Sequence, residues 1–210
     1  MRFREAADEI GAFFTVSIPF RAGLVASGHH PSPIPFADAT VCVTQGGLGG
    51  PRSSLILTKK QYLNWVADAG KDEGLYRTAH PVATAACLKA AGTPEFAKCQ
   101  ARSTTNARVL ASELAARDLR LVTGGTETHL VLLDLRDNDL DGAQAQSRLA
   151  KIGFTAESIR LQQVGNAENQ RDGLLIATQA AATRGMGEKE MQSLAQWISE
   201  ALASPEEKLD

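Results

Sequence analysis

The sequence predicts an α/β fold in two parts, and three observations carry that expectation. An apolar, β-branched run, Thr40-Val41-Cys42-Val43-Thr44, enters a glycine-dense loop and leaves through Leu55-Ile56-Leu57-Thr58. That is the pattern of strand, tight connection and strand. A long helical pattern then runs from Thr93 to about Arg117 and reads as a bridge. Beyond Leu119 short apolar runs alternate with amphipathic stretches, an α+β rhythm. The expected division is residues 1–92 and 93–210.

The elements follow in order. Phe3, Ala6, Ala7 and Ile10 share one helical face, and Gly11 stops that helix. Ala12 to Ile18 reads as a buried strand closed by Pro19. His29-His30-Pro31-Ser32-Pro33-Ile34-Pro35 is a rigid loop. Its adjacent histidines lack a carboxylate or thiol at ligand spacing, so no metal is expected. Ala39 to Thr44 and Leu55 to Thr58 are the strands around the glycine loop, Gln45 to Pro51. That loop fits neither phosphate fingerprint. A Walker loop needs Lys and then Ser or Thr after its last Gly, where Pro51-Arg52 stand. A dinucleotide turn needs a glycine that opens a helix, and Pro51 with a following strand denies it.

Tyr62, Trp65 and Val66 mark a short amphipathic helix, and Asp68 to Glu73 a charged loop. His80-Pro81 starts a helix to Ala91. Thr93 is the N-cap of the next, with Glu95 at its positive end. Phe96, Cys99, Ala107, Leu110 and Leu114 line one face of that helix. Leu119 to Thr123 and His129 to Leu135 are strands about a Gly124-Gly125 turn. His129 beside Glu127 reads as a structural histidine rather than a base. Asp141 caps a helix whose core face carries Ala145, Leu149 and Ile152. Phe154 to Leu161 is extended, Gln162 to Arg171 a polar loop, and Leu174 to Thr178 the last strand. Gly185 to Ala203 is the terminal helix, with Met191, Leu194, Ala195, Ile198 and Leu202 inward.

Composition excludes several classes. The 210 residues are 43% hydrophobic and 22% charged, with a net charge of −2. That suffices for a core and does not suit neutralisation of nucleic-acid phosphates. Apolar stretches fall short of a membrane span, and no secretory leader pattern opens the sequence. Cys42, Cys87 and Cys99 lack CxxC spacing and fit free thiols. A cytoplasmic location is the expectation.

Several separated motifs occur together in order. Besides the glycine loop they are Phe3-Arg4-Glu5-Ala6-Ala7-Asp8-Glu9-Ile10-Gly11-Ala12, Ala22 to Pro35, Leu121 to Thr126, His129 to Arg136, Asp141-Gly142 and Thr183-Arg184-Gly185. The string resembles the second half of serine hydroxymethyltransferases. The resemblance implies the type I fold of pyridoxal-phosphate enzymes. Residues 1–92 would then be the closing part of the large α/β domain, and 93–210 the α+β small domain.

The departures from that family fall where its chemistry lies. Its aldimine lysine sits in Thr-His-Lys-Thr-Leu-Arg-Gly-Pro-Arg. Aligned on Gly50-Pro51-Arg52, Gly46 takes the lysine position and Gln45 the histidine position. Glycine offers no amine for a Schiff base. Val16-Ser17-Ile18-Pro19-Phe20 stands for Val-Asp-Met-Ala-His, so Ser17 replaces the pyridinium partner and Phe20 the histidine. Arg171-Asp172-Gly173-Leu174-Leu175 stands for the carboxylate-clamping segment, with Leu175 in the arginine position. The phosphate loop is unrecognisable within Ala69 to Gly74, and Ala156-Glu157-Ser158-Ile159 replaces the Asn-rich folate segment. Lys59 and Lys60 lie too far along the exit strand to substitute for the lysine.

The resemblance therefore implies a degenerate homologue that is not an active hydroxymethyltransferase on its own. No resident cofactor is expected, pyridoxal phosphate entering only through a partner chain. A large domain lacking its early strands exposes an edge and a face, so either a second hydroxymethyltransferase-like chain or a second copy covers them, or the sequence is a fragment of a longer chain. The alternative is changed chemistry in the vestigial pocket formed by Ser17, Phe20, Thr44, Gln45, Gly46, Arg52 and Leu175. There Thr44, Gln45 and Arg52 would orient an anion.

Overall fold

The computed structural model describes residues 2–72, 80–161 and 171–204. It is a mixed α/β architecture with two small sheets, dividing into compact units of residues 1–98 and 99–210.

In the first unit α1 (Arg2–Glu9) stops at Gly11, as the sequence predicts. Gly11 adopts φ +65°. The amides of Gly11 and Ala12 return to the carbonyls of Asp8 and Ala7, the paired bonds of a Schellman cap. The apolar stripe behaves otherwise than expected. Ala7 is buried, but Phe3 and Ile10 are each 80% exposed. No described element of the unit covers their side of the helix.

β1 (Thr15–Ser17), β2 (Ala39–Val43) and β3 (Ser54–Thr58) form one sheet in that order. β1 lies parallel to β2 with Val16 opposite Thr40. β3 lies antiparallel to β2 with Ile56 opposite Val41. β1 is shorter than the apolar run from Ala12 to Ile18, for a local reason. The Phe14 amide is donated to the Asp38 carboxylate at 2.9 Å, and the Phe13 ring meets Tyr62 and Trp65 edge-on, at 4.8 and 5.4 Å. Alternation places Val16, Cys42 and Leu55 on one face, packed with Ile18, Ala22, Leu48, Cys87 and Ala91. The other face carries Thr15, Ser17, Val41 and Ile56, and it is largely open, with Ile56 50% exposed.

Two helices and a short turn complete this unit's connections. α2 (Ala22–Ala26) was not expected, and a 3₁₀ turn over Lys60–Tyr62 leads into α3 (Leu63–Asp72). The stretch from Asp68 is helix, not a charged loop. Ala67, Ala69 and Lys71 favour helix and no proline intervenes, while Glu73 lies outside the described residues. α4 (His80–Ala91) starts at the predicted His80-Pro81. Asp38, 5% exposed, ties the unit together. It accepts from Arg4 of α1 at 2.6 Å and from Lys59 beyond β3 at 2.6 Å, besides the Phe14 amide.

α5 (Pro94–Ala115) begins in the first unit and continues in the second. Thr93 caps it, its hydroxyl accepting from the Phe96 amide at 3.3 Å. Ala107, Leu110 and Leu114 are buried as expected, whereas Phe96 and Cys99 are half-buried.

The second unit is an antiparallel sheet of β4 (Leu130–Asp134), β6 (Arg171–Ala177) and β5 (Glu157–Leu161), in that spatial order. Val131 pairs with Ile176 and Leu133 with Leu174. These four face α5, α6 (Gly142–Lys151) and α8 (Glu188–Ala203) through Leu110, Leu114, Leu149, Met191 and Ile198. Asp141 forms the predicted cap as a full capping box, accepting from the Gln144 amide at 2.8 Å.

Several expectations are corrected here. Leu119 to Thr123 makes only an isolated bridge, at Leu121 with Leu133, because Gly124 at φ +68° turns the chain away at once. Ile152 is 40% exposed, since α6 ends at Lys151 and the core stripe ends with Leu149. α7 (Gln179–Thr183) is an extra short helix. The terminal helix starts at Glu188 rather than Gly185, where Glu190 accepts the Gly187 amide at 2.7 Å. Most of the predicted loop from Gln162 lies outside the described residues, and Arg171 already belongs to β6.

Candidate functional site

The glycine loop is built by its own backbone bonds. Thr44 and Gly50 donate to the carbonyls of Ser53 and Thr44, and Gly49 donates to that of Gly46. Gly46 and Gly49 take φ +74° and +72°, a region open mainly to glycine. At Gly50 a Cβ would stand 2.7 Å from Cys87 Sγ and 3.0 Å from Thr44 Cβ. The loop therefore seats directly on α4. Cys87 also donates its thiol to the Leu48 carbonyl at 3.3 Å.

Beside this loop lies a cleft of about 450 Å³. Its apolar lining comes from Pro19, Phe20 and Val43, its polar lining from Gln45, Arg52, Ser53 and Ser54. Gly46 contributes backbone alone, and a Cβ there would meet nothing within 4 Å. The cleft stands where β1 and β2 both end. Pro19 and Phe20 follow the last residue of β1, while Gln45 and Gly46 follow that of β2. Ligands of open α/β sheets bind at the carboxyl ends of parallel strands.

Of the seven singled-out positions, Phe20, Gln45, Gly46 and Arg52 come together in this cleft. Ser17 is an exposed β1 residue and does not line it. Thr44 is fully buried, and its hydroxyl lies 2.6 Å from the Pro51 carbonyl and 3.1 Å from that of Ser53. That hydroxyl is committed to closing the loop, so the anion-orienting role expected of Thr44 fails on geometry. Leu175 sits in the second unit on β6, opposite Leu132 and Glu157. Pro19, Val43, Ser53 and Ser54 were not singled out. Their signal was position, as residues flanking the two strand ends.

The cysteines and histidines lie outside this cleft. Burial pushes the Cys42 and Cys87 thiols up, which disfavours the nucleophilic thiolate. His129 is buried, and its backbone carbonyl, not its ring, accepts from the Thr178 amide at 3.0 Å. His29 Nε2 lies 3.2 Å from the Ala97 carbonyl, and His30 Nδ1 lies 3.0 Å from that of Pro31. Among the described residues no group of His, Cys, Asp and Glu is arranged to hold a metal ion. Nor is any described helix long and apolar enough to cross a membrane. A shallow acidic hollow over Leu135–Asp141 is spoken for likewise. Asp172 accepts the Gly142 amide at 2.9 Å, Asp141 caps α6, and the Arg136 side chain lies 2.5 Å from Asp134. Burial opposes ionisation of Asp134, but its hydrogen bonds to Arg136 outweigh this and hold the carboxyl below its usual range.

Comparison with known proteins settles the lineage. The serine hydroxymethyltransferase family profile matches residues 1–198. The chain belongs to the serine hydroxymethyltransferase family. It is 40% identical over 210 residues to serine hydroxymethyltransferase of Bifidobacterium adolescentis, covering 96% of this chain and 48% of that protein. The same enzyme of Corynebacterium efficiens is 42% identical over 210 residues, with the same coverage. Serine hydroxymethyltransferase 1 of Mycobacterium tuberculosis is 42% identical over 211 residues, 96% of this chain and 48% of the relative. The chain thus spans about half the length of the curated relatives it matches.

Proposed function

We propose that this chain is a non-catalytic member of its family, acting as a partner or regulatory subunit of a second hydroxymethyltransferase-like chain. Gly46 carries the reading. It occupies the position aligned with the aldimine lysine, its Cβ position faces open space, and its φ of +74° is one that a lysine rarely adopts. Among the described residues the cleft lining contains no lysine. The residues present therefore do not fit pyridoxal phosphate held as a Schiff base.

The open sheet supports the partner half of the proposal. β1 and β3 are both edge strands of the described sheet, Ile56 is half exposed, and Phe13, Leu63 and Trp65 add uncovered apolar surface in the same unit. Among the described residues that sheet has two unpaired edges and one largely open face, and such a sheet gains stability when another chain supplies strands and cover. On this reading the first unit is the closing part of a type I large domain and the second its small domain, in a cytoplasmic oligomer. The test is a tagged pull-down from the native cell, with mass spectrometry and an absorption spectrum of the eluate. A co-purifying hydroxymethyltransferase-like chain is expected, any yellow colour belonging to it. A borohydride-reducible yellow species on this chain alone overturns the proposal.

A further inference from the structure

The cleft at the ends of β1 and β2 has a defined chemistry, and it deepens the reading of Gly46 as an emptied lysine position, on which it rests. Three properties bear on what fits there. The volume of about 450 Å³ lies in the range of small-ligand sites. Arg52 is the charged residue of the lining, and no carboxylate among the described residues pairs with it. Its guanidinium presents a planar fork that matches a carboxylate in two parallel bonds. The Phe20 ring, 54% exposed, stands in the same cleft with Pro19 and Val43 as apolar surface.

We propose that this cleft binds a small monocarboxylate with a flat apolar body. The carboxylate lies against Arg52, within reach of the Gln45 amide and the Ser53 and Ser54 hydroxyls. The body covers Phe20 in the space that Gly46 leaves open. One cation without a neighbouring lysine suits a single negative charge better than a doubly charged phosphate. An aromatic ring lining the same cleft as a guanidinium suits an aryl acid better than a bare anion.

The experiment is a calorimetric titration of the full chain with benzoate, in the absence of pyridoxal phosphate. Saturable binding is expected, weakened at least about tenfold by Arg52→Met and comparably for the neutral isostere benzamide. Arg52→Met is a surface change and leaves the fold intact, which thermal melting verifies. Arg184→Met in the second unit serves as the matched control and leaves binding unchanged. Phe20→Ala is expected to weaken benzoate while sparing acetate. The proposal is overturned if benzoate does not saturate, if Arg52→Met binds it as well, or if benzamide matches it. Inorganic phosphate competing as strongly as benzoate also overturns it, by revealing an unselective anion contact. These outcomes are independent of the aldimine spectrum that tests the loss of catalysis.

Discussion

Replacing Asp38 tests what holds the first unit together. The carboxylate accepts one backbone amide, Phe14 N at 2.9 Å, and two cations, Arg4 and Lys59, each at 2.6 Å. Lys59 foremost, then the Phe14 amide and then Arg4, hold its carboxyl well below the usual carboxylate range. The cations keep access to water, the Lys59 side chain being 47% exposed, so their Coulombic share is screened. Asp38→Asn keeps an acceptor for Phe14 and removes the charge, at an expected cost of about 1–2 kcal/mol. Asp38→Ala also orphans the amide and strips a buried site of its anion, costing about 3 kcal/mol. Urea unfolding followed by Trp65 fluorescence reads both, in a Trp197→Phe background that silences the second unit. A carboxyl depressed in the fold contributes its stability above the unfolded value, near pH 4. It loses that contribution as pH falls toward the folded value. The gap between wild type and Asp38→Asn should therefore be constant near neutrality and close below about pH 4. Equal losses for Asn and Ala would refute the reasoning, because the amide would then count for nothing. A gap that persists into acid would refute it as well.

Three further outcomes follow from the glycines. Gly46→Lys is expected to lose about 1 kcal/mol from the positive φ and, on adding pyridoxal phosphate, to show no aldimine absorbance. Gly50→Ala drives a methyl to 2.7 Å from Cys87 Sγ and should cost about 1–3 kcal/mol, recovered only in part in the double variant with Cys87→Ala, because Thr44 Cβ stays 3.0 Å away. Gly173→Ala places its methyl 2.7 Å from the Leu133 carbonyl. Backbone cannot yield as a side chain does, so amide exchange along β4 and β6 should accelerate more than for Gly50→Ala at the loop.

What was legible in the sequence was what neighbouring residues decide among themselves. The strands around the glycine loop, the Thr93 and Asp141 caps and the stop at Gly11 depend on periodicity and on groups a few residues apart. Phe3 and Ile10 had the right spacing for a core face, but spacing does not supply a surface to bury it against. Thr44 resembled a ligand-orienting hydroxyl. Its engagement with the Pro51 and Ser53 carbonyls depends on how the loop doubles back. Ile152 continued an arithmetic pattern beyond the last helical residue. The cleft was half visible, since Gln45, Gly46 and Arg52 share one loop, whereas Pro19 joins them only through the parallel pairing of β1 with β2.

Among the described residues the core cluster of the second unit is built from side chains between Ala107 and Leu202. Such a closed core uncouples the tolerance of the two stretches to mutation. Substitutions around Gly46 and Phe20 change none of the side chains of that cluster, Leu110, Leu149, Leu174 and Ile198 among them. A lineage can thus rewrite its strand-end cleft while the second unit continues to fold and keep the chain in circulation. Innovation and persistence are carried by different parts of one polypeptide.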